Sequence, residues 1–454
     1  MIVLKFGGTS LGSPAAIERV CSIVLLARER TPLVVVSAIG DTTDSLEEAA
    51  QAGPAAGERK LSGIRARTMT IARELLPRRP FSEFVSFLDK LLVEARELLV
   101  QNGSDSAPSA TFDALLGVGE RISSRLVTLA LSECGGTASN LDSRDLFVTE
   151  ACHGGASPLP GPTRRRLQAA VPPHLAAGSI PVIGGFIATG EDGFPTTLGR
   201  GGSDYTASLA AAALGAEEVQ IWTDVDGVMS ADPSLIDSAR SLTELSLREA
   251  SELAYFGSRV LHPATMLPAI EEGIPIRVLN STRPSAQGTL ILPEPRAPEG
   301  VVKSVAYKEN ITLIDIHSTR MLMAHGFLAR IFAIFDRHET AVDMVSTSEV
   351  SVSLTVDRPA SVPRILQELG RFSRAEASSG KAIICVVGEG IRYTPGIAAR
   401  VFAALEGIRI RMISLGASRV NVGFVVDEGD LRQAVRRVHA EFFDPPGQGK
   451  EQSR

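Results

Sequence analysis

Residues 2–37, which read IVLKFGGTSLGSPAAIERVCSIVLLARERTPLVVVS, decide the fold of this protein. Two runs rich in β-branched residues, 2–6 and 33–37, predict strands. Between them, Ser13 and Pro14 supply an N-cap and a first-turn proline, which predicts a helix that extends to about residue 30. A strand, a helix and a second strand are the unit of a parallel sheet that is covered by helices.

The same alternation continues through a first domain, which we expect to span 1–295. Residues 51–113 differ, because they read as two helices, and we interpret them as an insertion packed against the sheet. A proline-rich stretch at 293–300 predicts the end of this domain. We expect an α/β fold that binds ligands where its parallel strands end. Further strands are predicted at 180–183, 219–223 and 276–279.

The sequence after residue 300 contains an internal repeat with an offset of 70 residues. Each copy reads as strand, turn, helix, strand, strand and helix, which indicates two modules of one type. We place them at 300–378 and 379–446, with a leading strand at about 300–308 that can pair with the second module. The segments that superpose at this offset are 326–333 on 396–403 and 352–357 on 422–427.

Composition excludes several classes of protein. The chain has 454 residues, 44% hydrophobic and 22% charged, which suits about two to four globular domains. A net charge of −6 without long basic runs argues against nucleic acid or a membrane surface as a partner. The apolar runs are shorter than a membrane span, so we expect a cytoplasmic protein. Four widely spaced cysteines suggest neither a zinc motif nor a disulfide framework.

Two glycine-rich turns carry cationic residues. KFGGTS at 5–10 joins a strand to a helix, and its free N–H groups with Lys5 suit a phosphate, although one Gly-Gly turn can arise by chance. It is not a P-loop, because the lysine precedes the glycines. TLGRGGSDYT at 197–206 offers Arg200 for a carboxylate or phosphate before a helix, where Asp204 is alternatively only a cap.

Two further segments also admit structural explanations. LGVGERIS at 116–123 looks like a dinucleotide fingerprint, but Ile122 replaces the last glycine and no strand clearly precedes it, so we reject that interpretation. Glu120 alone would be no more than a favourable charge at a helix N-terminus. WTDVDG at 222–227 could hold a nucleotide at a strand end, or could simply form a turn.

Together, these segments resemble the aspartate kinases of the amino-acid kinase family, in the family's order over almost the whole chain. VSA at 36–38 and VLHPAT at 260–265 also match. The C-terminal repeat resembles a pair of ACT domains, the βαββαβ module that senses amino acids. The resemblance implies a carbamate-kinase-like parallel-sheet sandwich with a tandem ACT regulatory domain. That tail separates the chain from acetylglutamate, carbamate and UMP kinases, and its length suits the monofunctional enzyme.

The implied reaction transfers a phosphoryl group from ATP to the side chain of L-aspartate, giving 4-phospho-L-aspartate, the first step toward lysine, threonine and methionine. A carboxylate is ionised at neutral pH, so catalysis reduces to positioning and charge stabilisation. Arg200 suits the substrate's α-carboxylate, while Glu120 and Asp204 suit its ammonium. Mg²⁺ is expected with the ATP phosphates, because no protein metal cluster is visible in the sequence.

The resemblance assigns residues to each role. The implied catalytic residues are Lys5, Gly8 and Asp204. The residues implied for aspartate are Ser37, Thr43, Glu120, Arg200, Gly202 and Ser203. The residues implied for ATP are Lys5, Gly7, Gly8, Thr223, Asp224, Met229, Ser234 and Arg259. The last three depart from the tyrosine, arginine and lysine that are common at these positions in the family.

The first ACT copy has acidic residues around its second strand, Asp343 and Glu349, whereas Arg411 and Ser418 lie near the matching places in the second. Such carboxylates favour a cationic effector, so we expect feedback inhibition by lysine at a homodimer or dimer of dimers formed by the ACT modules. The alternative is a pair of solvated surface acids. The implied allosteric residues are Met321, Ala324, Phe327, Leu328, Val342, Asp343, Ser348 and Glu349.

Two other functions stay open from the sequence. One is a kinase for another amino-acid carboxylate, such as glutamate, because the length of the pocket cannot be read from these motifs. The other is a catalytically silent regulator that binds amino acids. The presence of Lys5, Glu120, Arg200 and Asp204 argues against the regulator.

Overall fold

The computed structural model describes residues 1–102, 109–257, 263–294, 301–318 and 325–444. Its strands are β1 (Ile2–Phe6), β2 (Pro32–Val36), β3 (Ala138–Leu141), β4 (Val148–Thr149), β5 (Ile180–Gly184), β6 (Ile187–Gly190), β7 (Pro195–Thr197), β8 (Val219–Thr223), β9 (Glu244–Ser246), β10 (Ile276–Asn280), β11 (Thr289–Leu292), β12 (Ser304–His317), β13 (Val345–Thr347), β14 (Ser351–Val356), β15 (Arg374–Val387), β16 (Ile410–Leu415) and β17 (Asn421–Asp427). Its α-helices are α1 (Pro14–Leu26), α2 (Thr42–Ala52), α3 (Pro54–Leu75), α4 (Arg78–Asn102), α5 (Ala110–Leu116), α6 (Val118–Glu133), α7 (Ser143–Leu146), α8 (Pro160–Ala176), α9 (Gly202–Leu214), α10 (Leu247–Tyr255), α11 (Pro263–Glu271), α12 (Phe327–Arg337), α13 (Val362–Leu369), α14 (Ile397–Ala404) and α15 (Leu431–Phe443).

The main sheet has eight strands in the order β3-β5-β2-β1-β8-β10-β11-β9. The first six run parallel, and β11 is antiparallel to β10. Every residue of β2 and β5 is buried, as expected of central strands whose two faces are both covered. The five strands predicted from the sequence are β1, β2, β5, β8 and β10, so the α/β fold class is confirmed.

Helix α1 begins as the sequence predicts and ends earlier. The Ser13 hydroxyl accepts a hydrogen bond from the Ala16 N–H at 3.2 Å, and Pro14 occupies the first turn. The helix stops at Leu26, because the next residues tighten into a 3₁₀ turn and Thr31 adopts a left-handed conformation with φ of 47°. The following strand β2 starts immediately after this turn.

The predicted insertion is a pair of long helices, α3 and α4. Two ion pairs join them, Arg65 to Asp89 at 2.8 Å and Arg96 to Glu58 at 2.7 Å. Their apolar faces belong to the same buried cluster as α1, α6 and the strands β1 and β2. Helix α5 precedes the glycine segment at the start of α6, so no strand leads into it and the rejection of the dinucleotide fingerprint is correct.

Two 14-residue strands, β12 and β15, organise the C-terminal antiparallel sheet, which has the order β13-β14-β12-β15-β17-β16. The first part of β12 pairs with the last part of β15, which belongs to the second repeat, and the rest of β12 pairs with the first part of β15. The pairing is irregular near Asn310 and Gly380, which have φ of 59° and 66°. Both long strands therefore run through both modules.

Each copy of the C-terminal repeat has its own buried core. One core contains residues from α12, α13 and β14, and the other contains residues from α14, α15 and β17. Four pairs of fully buried residues are separated by the same 70-residue offset as the sequence repeat. These pairs are Ile314 with Ile384, Ile331 with Val401, Leu354 with Phe424, and Ile365 with Val435.

Internal contacts divide the chain into two units. The first contains Met1–Val228, Thr243–Leu247 and Val260–Glu294, and the second contains the remainder. Two segments before the predicted break at 293–300, Met229–Leu242 and Arg248–Arg259, thus belong to the same unit as the C-terminal repeat. The cause is apolar packing, since Ala231, Leu235 and Ile236 join the core of the second module. Among the described residues, no helix combines the length and apolar character needed to cross a membrane.

Candidate active site

The candidate site lies where β1, β2 and β8 end. Because β1 pairs in parallel with both neighbours, the loops that follow the three strands meet at one edge of the sheet. Backbone hydrogen bonds join these loops. Gly7 N–H donates to the Trp222 carbonyl at 3.2 Å, and Ser37 N–H donates to the Phe6 carbonyl at 3.0 Å.

Gly8 has no room for a side chain. A Cβ atom at this position would lie 2.7 Å from the Gly40 carbonyl oxygen and 2.9 Å from the Ala38 carbonyl oxygen. The Gly40 N–H also donates to the Gly8 carbonyl at 3.0 Å. The second glycine of the KFGG turn thus brings the loop after β1 into direct contact with the loop after β2.

Lys5 and Asp204 form an ion pair at this edge. The Lys5 Nζ lies 2.6 Å from the Asp204 Oδ1, and the two side chains are only 12% and 15% exposed. Lys5 lies on β1, and Asp204 lies in the first turn of α9. The N-cap of α9 is Gly201, with no side-chain cap, so Asp204 contacts the lysine instead of capping the helix.

Glu120 is a buried acid with one unpaired oxygen. Its Oε1 accepts a hydrogen bond from the Ala38 N–H at 3.2 Å, while its Oε2 has no hydrogen-bond partner among the described residues. Burial raises the pKa of Glu120 to about 8, against the lowering effect of the Ala38 N–H. Gly119 allows α6 to begin this close to the β2 loop, because a Cβ there would lie 2.7 Å from the Ala38 Cβ. The free oxygen requires a proton or a cation.

Arg200 lies in an exposed turn between two left-handed glycines. Gly199 and Gly201 have φ of 71° and 73°, and the Gly202 N–H donates to the Gly199 carbonyl at 2.9 Å. Ser203 is buried beside Gly185, where a Cβ would lie 2.5 Å from the Ser203 Cβ. This close packing holds the start of α9 against the segment that follows β5.

Ser37 and Thr43 occupy the loop and helix that follow β2. Both side chains are half-buried, Ser37 directly after the strand and Thr43 in the first turn of α2. The structure therefore groups Lys5, Gly7, Gly8, Ser37 and Glu120 around the ends of two adjacent strands.

The predicted nucleotide residues divide between the two units. Thr223 ends β8, and its hydroxyl donates to the exposed Asp224 carboxylate at 3.1 Å. Met229 and Ser234 belong to the second unit, where the Met229 carbonyl accepts from Ser304 and the Ser234 N–H donates to Asp232. Arg259 lies outside the described residues.

The turn interpretation of WTDVDG also has structural support. Gly227 has φ of 105°, and Asp226 accepts a hydrogen bond from the Asn280 side chain at 2.7 Å. In the part of the chain that the structure describes, no three His, Cys, Asp or Glu side chains form a group that could hold a metal ion.

The predicted effector residues show two different environments. Asp343 is already paired, because its Oδ1 lies 2.6 Å from the Lys308 Nζ and accepts from the Tyr255 hydroxyl at 2.8 Å. Glu349 is exposed in the turn between β13 and β14, beside a hydrogen bond of 2.8 Å from the Ser348 N–H to the Ser351 carbonyl. Glu349 is thus the more accessible of these two acids.

Two apolar members of the set, Phe327 and Leu328, begin α12. Phe327 is buried and packs edge-to-face against Phe372 with ring centroids 5.6 Å apart, while Leu328 is 39% exposed. Val342 packs against the core of the first module. Met321 and Ala324 lie outside the described residues.

Asp113 was not among the predicted site residues. It lies on α5 with a fully buried side chain, next to the loop that contains Gly154 and to Thr197 at the end of β7. An acidic residue inside the apolar run FDALL at 112–116 is the signal that could have identified it.

Comparison with known proteins identifies the family of the chain. Residues 1–280 match the amino acid kinase family, and residues 384–442 match the ACT domain. The chain therefore belongs to the amino acid kinase family.

Within this family, the chain is similar to aspartokinases over nearly its whole length. The lysine-sensitive aspartokinase 3 of Escherichia coli is 37% identical over 98% of this chain and 99% of its own length. A crystal structure of E. coli aspartokinase III with aspartate and ADP superposes with a TM-score of 0.85, at 36% identity, over 98% of this chain and all of that one. Its complex with lysine and aspartate gives a TM-score of 0.83 at the same identity and coverage.

Proposed function

We propose that this protein is an ATP-dependent aspartate kinase that forms 4-phospho-L-aspartate. The observation that carries the proposal is the presence of both signs of charge at the end of β1 and β2. The Lys5–Asp204 pair lies there at 2.6 Å, and the buried Glu120 has a free carboxylate oxygen. A zwitterionic substrate whose side chain attacks a phosphate needs such a site, and the relatives named aspartokinase support this choice.

Arg200 and Glu120 are assigned to the amino-acid end of the substrate. The exposed guanidinium of Arg200 can bind the α-carboxylate through two parallel hydrogen bonds. The free oxygen of Glu120 can accept from the α-ammonium, which replaces the proton or cation that the buried acid requires. Ser37, Thr43, Gly202 and Ser203 are assigned to neighbouring contacts with aspartate. The substrate's side-chain carboxylate is then free to face the phosphate.

Lys5 is assigned to the phosphoryl group in transfer. Its ammonium stabilises the negative charge on that group, and Asp204 orients it through the ion pair. The Gly8 N–H on the same turn is assigned to a phosphate oxygen, whereas the Gly7 N–H already donates to the Trp222 carbonyl. The attacking carboxylate is already ionised, so no protein base has to remove a proton.

Thr223 and Asp224 are assigned to ATP, since they lie at the end of the neighbouring strand β8. Met229, Ser234 and Arg259 stay predictions for this role. Mg²⁺ bound to ATP would neutralise phosphate charge, and the exposed Asp224 is an oxygen donor suited to it.

Lysine is proposed as the feedback inhibitor, with Glu349 as the accessible carboxylate for its cationic side chain. The lysine-sensitive relative and the E. coli complex with lysine support this choice. A homodimer, or a dimer of dimers, through the ACT modules completes the proposal, together with a cytoplasmic location. The outer strands support such an interface, because Val345 on β13 and Ile413 and Leu415 on β16 are exposed apolar side chains.

The decisive experiment traps acyl phosphate with hydroxylamine while Mg-ATP is offered with L-aspartate or L-glutamate. We expect aspartyl hydroxamate, and suppression by lysine but not by threonine. A product from glutamate alone would show that glutamate, and not aspartate, is the substrate. No product from either amino acid would favour a silent regulator. If lysine does not affect turnover, the assignment as a kinase stands and the assignment of lysine as the inhibitor fails. Light scattering of the same sample tests for the dimer.

A further inference from the structure

Asp113 connects two loops from inside the first unit. Its side chain is fully buried, and Oδ1 accepts a hydrogen bond from the Thr197 hydroxyl at 2.7 Å. The Gly154 N–H donates to both carboxylate oxygens, at 3.2 and 3.1 Å, and the His153 Nδ1 lies 3.2 Å from Oδ2. Burial raises the pKa of this carboxyl, and the hydrogen bonds from Thr197 and Gly154 oppose that rise. Burial of a carboxylate is costly unless donors surround it, so the hydrogen bonds to Asp113 hold the groups that donate them in fixed positions.

The two loops that Asp113 joins support the turn that carries Arg200. Thr197 is three residues before the arginine, and its carbonyl accepts from the Ala156 N–H at 2.7 Å. The backbones of Gly155 and Gly199 also meet, because a Cβ on Gly199 would lie 3.2 Å from the Gly155 Cα. The conformation of the exposed turn therefore depends on contacts that lead back to the buried carboxylate.

We infer that Asp113 is a positioning residue for aspartate binding, which fixes the turn that presents Arg200 to the substrate's α-carboxylate. It acts through Thr197 and the Gly154–Gly155 backbone and does not itself contact the substrate. The inference rests on the proposed function, since it requires that Arg200 binds aspartate. Misplacing a two-pronged guanidinium weakens a carboxylate contact without changing the groups that react with ATP.

The test compares steady-state kinetics of Asp113→Ala, Asp113→Asn and Thr197→Val. We expect the KM for aspartate to rise at least about tenfold in Asp113→Ala and about three- to tenfold in Thr197→Val, with kcat and the KM for ATP within about twofold. Asp113→Asn should recover most of the loss, because an amide can accept from Gly154 and donate to Thr197. The matched control is Thr128→Val, which removes a buried hydroxyl that donates to the Ser124 carbonyl on α6 and should change no constant.

A double-mutant cycle separates this inference from the proposed function. If Asp113 acts through Arg200, adding Asp113→Ala to Arg200→Ala should raise the KM for aspartate no further. Arg200→Ala with an unchanged KM would overturn both the assignment of Arg200 and the inference. If Arg200→Ala raises the KM but Asp113→Ala and Thr197→Val do not, only the inference fails. If Asp113→Ala does not fold, the comparison of the KM for aspartate between Thr197→Val and Thr128→Val decides whether the inference holds.

Discussion

The affinity for L-aspartate should depend on pH through Glu120. Burial raises the pKa of this carboxyl to about 8, and no group in the described part of the chain forms a hydrogen bond with its Oε2. The free protein near neutral pH therefore holds Glu120 mainly in the protonated form, which lacks the negative charge that pairs with the substrate's ammonium. Binding has to remove that proton first, so aspartate should bind more tightly as the pH rises toward and through 8.

The size of the effect follows from the pKa. For a single group with pKa about 8, the apparent dissociation constant at pH 6 is about 50 times that at pH 8, and about 0.9 protons are released on binding at pH 7. The charges of free aspartate do not change over this interval. Isothermal titration calorimetry in buffers of different ionisation enthalpy measures both quantities.

Glu120→Gln is the matched variant, because it keeps the shape and cannot ionise. It should bind aspartate weakly with little pH dependence between 6 and 8. Since the folded-state pKa of Glu120 lies above its ordinary value, the stability that its neutral form provides is present at low pH and is lost as the pH rises through about 8. Glu120→Gln should therefore gain stability relative to the wild type with rising pH. Equal wild-type affinity at pH 6 and pH 8, with no proton release, would refute the reasoning.

Three further predictions concern other parts of the chain. Lys5→Ala should lower kcat at least about 100-fold and still bind aspartate, because it removes the charge assigned to the transition state; near-normal turnover would contradict this role. Gly8→Ala should lower the melting temperature and raise the KM for ATP, since its Cβ would meet carbonyl oxygens at 2.7 and 2.9 Å and such overpacking costs about 1–3 kcal/mol. Gly12→Ala, whose Cβ would lie 3.6 Å from the nearest atom, is the control and should change neither quantity. Glu349→Lys should keep full activity but require at least about ten times more lysine for half-inhibition, and unchanged inhibition curves would argue against this effector contact.

Local signals made most of the fold predictable. β-branched runs identify β1, β2, β5, β8 and β10, because central parallel strands are buried on both faces and have few polar positions. The 70-residue repeat was visible because equivalent positions of the two modules, such as Ile331 and Val401, are both fully buried. Because both modules need the same buried apolar positions, the same spacing of apolar residues occurs twice in the sequence. This spacing is visible without knowledge of how the strands pair.

The division into two units was not predictable in the same way. Residues 229–242 join the second unit through a few apolar side chains, including Leu235 and Ile236, whose partners lie far along the chain. Nothing in the local sequence marks such contacts. Proline at 293–300 signals a change of structure, but it cannot show that earlier segments already belong to the later unit.

Candidate site residues can be picked out of the sequence where glycines and charges share one turn. Lys5 and Asp204 occur in separate glycine-rich segments, and the structure joins them at 2.6 Å. Asp113 was missed because its partners are a hydroxyl and a backbone N–H, which no motif encodes. Asp343 is predicted to serve a cationic effector, and the structure pairs it with Lys308, which is 35 residues away, so no local spacing could show this contact.

The shared strands of the ACT sheet limit how this protein can be divided or recombined. Each of β12 and β15 has 14 residues and contributes hydrogen bonds to both modules, so each spans about 46 Å without a connecting loop. A break between 318 and 374 would leave each fragment with one long strand that lacks its central partner. The two ACT modules therefore form one structural unit. A chimera with a relative would have to exchange both long strands, β12 and β15, together.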